Sequence, residues 1–153
     1  MKANRSRNTG PEIALRRELY RRGLRFRVHH APVPSLRCRP DIVFTRQRLA
    51  VFVDGCFWHR CPEHAASPSR NRAYWEAKFQ HNADRNRRHD RALAAAGWAV
   101  VRIWEHEATG DAVVRVMSAL DELAQSEATQ VTTSPFATSP PSSISTSLRP
   151  PTT

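Results

Sequence analysis

The sequence predicts a mixed α/β domain in which a central sheet is flanked by helices. Short, apolar, β-branched runs at 40–44, 49–54 and 98–104 read as strands. They alternate with longer stretches carrying helix start and stop signals at Thr9–Gly23, Ala73–Ala96 and Asp111–Ala124. At 153 residues with a hydrophobic fraction of 40%, the chain has enough apolar surface for one core.

Thr9-Gly10-Pro11-Glu12 fits a capping box, Leu15 and Leu19 share a helix face, and Gly23 is placed to end that helix. Arg25-Phe26-Arg27-Val28-His29 alternates like a half-exposed strand. Pro40–Phe44 and Leu49–Asp54, joined by the polar Thr45-Arg46-Gln47-Arg48, read as a hairpin. Ala50-Val51-Phe52-Val53 has no polar face and should be a central strand. A loop from Gly55 to about Arg72 precedes a long polar helix stopped by Gly97. Trp98–Trp104 is then a buried strand, and Asp111–Ala124 a final amphipathic helix. The expected order is α-β-β-β-α-β-α. From Ser126 the composition turns to Ser, Thr and Pro, too poor in apolar surface to offset its ordering entropy. The working domain is therefore 1–125, with a disordered tail over 126–153.

Lys plus Arg number 24 against 14 Asp plus Glu, a formal charge of +10. Such a balance favours a polyanionic partner, either nucleic acid or an anionic membrane surface. No stretch approaches the roughly 18 apolar residues of a membrane span, and the basic N-terminus lacks a signal peptide's apolar run. A cytoplasmic protein with no membrane partner is expected. Cys38, Cys56 and Cys61 are too few for a disulfide scaffold; in a reducing compartment they are free thiols or metal ligands.

Asp41 opens one strand of the hairpin and Asp54 closes the other, so antiparallel pairing brings the two carboxylates to one sheet edge. In a basic protein this is a candidate Mg²⁺ site, since Mg²⁺ takes one or two carboxylates and fills its remaining positions with water and phosphate oxygens. The bland alternative is a pair of strand-end residues. Glu12 offers a third acid, although a helix cap already explains it.

Gly55-Cys56-Phe57-Trp58-His59-Arg60-Cys61-Pro62-Glu63-His64 gathers two Cys and two His. Cys56, Cys61 and His64 are close enough to share one tetrahedral Zn²⁺, with His106 the best fourth ligand. His59, near the acidic pair, is better placed as a general base or acid than as a ligand. Phe57, Trp58 and Tyr74-Trp75 can wedge into a base step or simply cover a small core. Lys78, Asn82 and Arg85 fall on one helix face able to track phosphates, and Lys2, Arg5, Arg7, Arg16 and Arg17 add to the same field.

Several blocks resemble the very short patch repair (Vsr) DNA mismatch endonucleases. They are Arg5-Ser6-Arg7-Asn8, Arg39-Pro40-Asp41, Val51-Phe52-Val53-Asp54-Gly55-Cys56-Phe57-Trp58-His59, then Trp75, Lys78, Asn82, Gly97-Trp98, Val101 and Trp104-Glu105. The match runs from about residue 4 to 107. The resemblance implies a PD-(D/E)xK restriction-endonuclease-like fold that nicks one DNA strand at T:G mismatches left by deaminated 5-methylcytosine. It implies Mg²⁺ held by Asp41 and the Val53 carbonyl, His59 as catalytic base and Glu12 assisting. It also implies a structural zinc on Cys56, Cys61, His64 and His106, intercalating Phe57, Trp58 and Trp75, and N-terminal DNA contacts that map onto Arg7 and Asn8. Two positions depart from the family pattern: Asp54 stands where a His precedes the Gly, and His106 replaces a Cys.

The expectation is a Mg²⁺-dependent, zinc-stabilised, strand-nicking endonuclease of duplex DNA, acting as a monomer and associated with the nucleoid. Mismatch-repair proteins and a cytosine methyltransferase would be its pathway partners. Asp54 is kept as a further catalytic and Mg²⁺-binding candidate. The alternatives are a restriction-type or general nuclease of the same fold without mismatch preference, a non-catalytic zinc-stabilised DNA-binding module, and a zinc hydrolase using Cys56 and Cys61 around an open metal.

Overall fold

A computed structural model describes residues 7–64 and 70–132 and contains the expected hairpin. Strand β1 (Ile42–Phe44) pairs antiparallel with β2 (Leu49–Asp54), setting Ile42 opposite Val51 and Phe44 opposite Leu49. Strand β3 (Ala99–Trp104) joins the other edge of β2 in parallel, with Asp54 level with Trp104, so the order is β1-β2-β3. A parallel neighbour needs a long crossover, and helix α2 (Arg72–Ala95) supplies it.

The central strand is covered on both faces. Leu49 and Val51 cluster with Leu15 and Leu19 of α1 (Gly10–Arg21) and with Val113 and Val116 of α3 (Thr109–Thr132). Ala50 lies instead with Leu93 of α2 and with Cys38. Successive strand residues point to opposite faces, so a strand between two helix layers has no room for a polar side. Leu19 is fully buried in the larger cluster. Its replacement by alanine is expected to cost about 2–5 kcal/mol, read as a lower denaturant midpoint at unchanged slope.

Residues 25–29 do not form the expected strand. Arg27 alone pairs, exchanging backbone hydrogen bonds of 2.9 and 2.8 Å with Val43. His29 then enters the left-handed region at φ 49°, and the chain leaves the sheet. The alternation still has a packing role, since Phe26 meets Phe44 edge-on at 5.7 Å. With β1 only three residues long, there is little edge to extend. Strand β3 is half-buried rather than buried, with Ile103 its only fully covered side chain, because it forms the other edge of the sheet.

The capping box is half realised. Thr9 is the N-cap of α1 but its side chain makes no cap bond; its hydroxyl donates to Glu12 Oε1 at 3.0 Å. Pro11 removes one of the N–H groups such a cap would satisfy. Gly97 ends the α2 turn at φ 78°, where a Cβ would also meet the Arg48 guanidinium at 3.1 Å. The final helix begins at Thr109 and runs to Thr132, so the first residues of the segment expected to be a tail are helical. The rest of that segment lies outside the described residues. No helix among the described residues is long and apolar enough to cross a membrane.

Candidate active site

The β1–β2 ladder ends at Ile42 because the chain before it is Pro40-Asp41. Val53, next along that edge of β2, donates its N–H to Asp41 Oδ2 at 2.8 Å. The carbonyls of Arg48 and Asp54 accept from Ala99 and Glu105 on the β3 side. By strand alternation, the Val53 carbonyl therefore faces the Asp41 side, where the extended register offers only Pro40, a residue with no N–H. A carboxylate and a carbonyl without a ladder donor thus share the end of the hairpin.

Asp41 is largely covered. Burial pushes its carboxyl up to about 6, against the Val53 hydrogen bond and with nearby Glu12 adding to the rise. Glu12 is itself buried and already engaged, accepting from the Asn8 N–H at 2.9 Å, the Thr9 hydroxyl, and Arg16 NH2 at 2.8 Å. His29, which sequence spacing did not single out, brings Nδ1 to 3.8 Å from Asp41 Oδ1. Its Nε2 lies 3.3 Å from Arg16 NH2. Glu12, His29 and Asp41 have donor atoms within 4.8 Å of one another. The signal for His29 was the adjacent His29-His30 pair, and only the turn after Arg27 aims one of the two at the acid.

Asp54 meets a cation the sequence spacing did not place beside it: both its oxygens accept from Arg102 NH1 at 2.9 Å. His59 Nε2 stands 3.6 Å from Asp54 Oδ1, and its Nδ1 meets the Asn86 side-chain amide at 2.9 Å. Burial lowers the His59 pKa, with Arg102 and Arg85 reinforcing and Asp54 opposing. A ring held neutral is the form that accepts a proton. Asp41, Asp54 and His59 line one cavity of about 710 Å³, with Arg7, Arg85 and Arg102 on its walls.

A second cavity of about 410 Å³ adjoins it through Glu12, Val53, His59 and Arg85, and is lined further by Phe57, Trp58, Lys78 and Asn82. Lys78 and Arg85 are exposed, as a phosphate-tracking face requires. Asn82 is buried and donates its amide to the Trp58 carbonyl at 3.2 Å, so it fastens the aromatic loop to α2. Phe57 is the hub of that loop, edge-on to Trp58 and Trp75 at 5.2 Å and to Phe79 at 5.5 Å. Tyr74 stands exposed beside Trp75. Of the N-terminal pair, Arg7 is exposed at the larger cavity, whereas Asn8 is left-handed (φ 55°) and accepts from Arg16 NH1 at 2.7 Å.

The Cys/His cluster assembles from the same register. Asp54 is level with Trp104 and its carbonyl accepts the Glu105 N–H at 3.0 Å, so the residues that follow each strand meet. At Gly55 a Cβ would make only ordinary contacts, 3.4 Å from the Trp58 ring and 3.7 Å from Glu105. Cys56 donates its N–H to Glu105 Oε1 at 2.7 Å. Its Sγ lies 3.1 Å from His106 Nδ1, and Cys61 Sγ lies 3.5 Å from His106 Nδ1 and 3.8 Å from His64 Nδ1. A tetrahedral zinc with ordinary Zn–S and Zn–N bonds has S···N edges of about 3.5 Å. These three distances lie within a few tenths of an ångström of that edge, the four donor atoms all lie within 4.8 Å of one another, and Glu63 sits 3.4 Å from the outer nitrogen of His106. Cys38 has no part in it; it is buried under the sheet and its thiol is pushed up to about 11 by burial.

A small α/β domain thus sets a covered acid, an imidazole of lowered pKa, cationic walls and a group of aromatic rings around two adjoining cavities. The DNA mismatch endonuclease Vsr family model matches residues 1–64. The Type II nicking enzyme V.NaeI of Lentzea aerocolonigenes is 45% identical over 80% of this chain and 75% of its own. The Type II nicking enzyme V.XorIIP of Xanthomonas oryzae pv. oryzae is 43% identical over 70% of this chain and 77% of its own. The DNA mismatch endonuclease Vsr of Escherichia coli K12 is 36% identical over 69% of this chain and 66% of its own. The chain belongs to the Vsr DNA mismatch endonuclease family, and it is a strand-nicking endodeoxyribonuclease. That sets aside the non-catalytic binding module.

Proposed function

We infer that this enzyme nicks one strand of duplex DNA at T:G mismatches left by deaminated 5-methylcytosine, with Mg²⁺ in the acidic pocket and zinc in the Cys/His cluster. The reading rests chiefly on one observation: Asp41, the β1-facing edge of Val53 and His59 border a single cavity. Asp41 and the Val53 carbonyl would hold Mg²⁺, while Asp54, already committed to Arg102, stays outside its ligand set. Bound there, the cation would polarise the scissile phosphodiester and stabilise charge on the leaving oxygen. His59 takes the proton of the attacking water through Nε2, and its Nδ1–H is oriented by Asn86 once that amide turns its oxygen inward. Glu12 assists by holding Asn8, Thr9 and Arg16 at the mouth of the pocket.

Lys78, Arg85 and Arg7 supply phosphate contacts, which position the duplex without reading its sequence. Phe57, Trp58 and Trp75 enter the base step, where a mismatched pair costs less to unstack than a paired one. Cys56, Cys61, His64 and His106 close around zinc and carry no chemistry, which leaves the zinc-hydrolase alternative without an open metal position. Mismatch-repair proteins and a cytosine methyltransferase belong to the same reading as pathway partners, and the cytoplasm and its nucleoid as the place of action.

A second reading has a specific observation behind it. Two of the relatives described above carry the name Type II nicking enzyme, which fits a restriction-type enzyme nicking without mismatch preference. Duplexes differing only in T:G or T:A at one position, incubated with Mg²⁺, separate the two. Mismatch repair requires the T:G strand to be nicked at least about 100-fold faster, the discrimination a few kcal/mol of unstacking provides; equal rates would leave the restriction-type reading.

A further inference from the structure

Arg102 and Asp90 have no role in the chemistry described so far, yet Arg102 forms part of the wall between Asp54 and His59. Its NH1 donates to both oxygens of Asp54 at 2.9 Å. Its Nε and NH2 donate to the two oxygens of Asp90, on α2, at 3.1 and 2.8 Å. The guanidinium also lies over the Phe52 ring at 4.5 Å. A planar fork of fixed donors suits two carboxylates at once, and a lysine in its place would reach only one.

The arrangement bears on His59. Asp54 is buried, and its Oδ1 is 3.6 Å from His59 Nε2, just beyond a hydrogen bond. Without Arg102 the carboxylate would be a buried, unpaired charge and would close that gap to accept Nε2–H, because an uncompensated buried charge is costly. The ring would then point its proton at Asp54 and have no lone pair left for water.

We propose that Arg102 is a positioning residue that acts on His59 through Asp54: by occupying both Asp54 oxygens, it leaves Nε2 open to the cavity. Asp90 holds the other edge of the guanidinium, which keeps Arg102 in the wall and off the phosphates of bound DNA. The proposal rests on His59 being the base of the nicking reaction. The register places the pair together: Asp54 is level with Trp104, and Arg102 stands two residues before it on β3.

The test is a double-mutant cycle on the full chain, with kcat and KM for nicking measured on an intact T:G duplex at fixed pH and metal. Arg102→Met should lower kcat about tenfold to a hundredfold, a large part of what a general base contributes, and leave KM within about twofold. Asp54→Asn removes the competing carboxylate, so adding Arg102→Met to Asp54→Asn should change kcat by less than about threefold. Proton NMR should reveal a hydrogen-bonded imidazole Nε2–H in Arg102→Met that is missing from the wild type and from the double variant. A purely structural ion pair would not produce that signal.

Wild-type kcat in Arg102→Met, a double variant as slow as Arg102→Met, or no new imidazole proton would each overturn the proposal. Arg102→Met leaves a buried charge unpaired and can fail to fold. The pair Asp54→Asn and Asp54→Asn/Arg102→Met then decides alone: equal kcat supports the proposal, and a further tenfold loss or more overturns it. Full turnover in His59→Ala would refute the base assignment itself, an outcome distinct from any in the cycle.

Discussion

Asp41→Ala is expected to abolish nicking, by about three orders of magnitude or more in kcat, while duplex binding in the absence of divalent metal stays close to wild type. The size follows from losing the carboxylate proposed to hold the cation, whose charge stabilisation is worth several kcal/mol, at about 1.4 kcal/mol per tenfold. Glu12 and Asp54 are each paired to a cation, Arg16 and Arg102, which a metal would have to displace. Nicking kinetics with a metal titration check this, and wild-type turnover in the variant would remove Asp41 from the mechanism.

The same residue sets a pH dependence in the metal-free protein. Its carboxyl is raised to about 6, chiefly by burial, so folding favours the protonated form. That contribution to stability is fully present below the ordinary carboxylate range and is lost as pH rises through about 6. A metal needs the anion, so divalent-metal affinity should fall as pH drops through the same value. Calorimetric titrations of Mg²⁺ at pH 5 and pH 7 measure it, and equal affinities would count against Asp41 as a ligand.

The other large effect is expected from zinc removal. Structural zinc contributes roughly 10 kcal/mol or more in small domains. Here the ligands Cys56 and Cys61 bracket Phe57, Trp58 and His59. Cys61→Ala, or stripping with a strong chelator, should therefore lower the melting temperature by more than about 10 °C and silence nicking. Nicking is lost because the loop that aims His59 is no longer closed. Elemental analysis of purified protein gives the direct check: about one zinc per chain in the wild type and none in the variant, as a closed four-ligand site demands. A protein free of zinc that melts and nicks normally would leave the cluster as two buried thiols beside two histidines.

Much of this was legible in the chain. The apolar run Ala50–Val53 identified the central strand, because a segment with no polar side has to be covered on both faces. The Gly55–His64 block marked a candidate metal loop, and Cys56, Cys61 and His64 from it do come together, with His106 as the fourth member. Two expectations failed for local reasons. The alternation of 25–29 promised a ladder, but β1 is three residues long and the chain turns away at His29. The cap at Thr9 was expected to be reciprocal, but the Thr9 hydroxyl turns to the Glu12 carboxylate instead.

By itself the sequence determined the layered α/β plan, the basic character, the acid at the start of the hairpin and the family. These rest on residue type and spacing, which local physics reads directly. Only the tertiary structure decided which acids are paired to arginines. Asp54 and Glu12 look as available as Asp41 in one dimension, but Arg102 and Arg16 reach them from another strand and from the next helical turn. It also decided that His106 meets Cys56, through the parallel register of β2 and β3, and that His29 faces Asp41. Charge pairing and register depend on contacts between residues distant in the chain, and such contacts exist only once the strands and helices have packed.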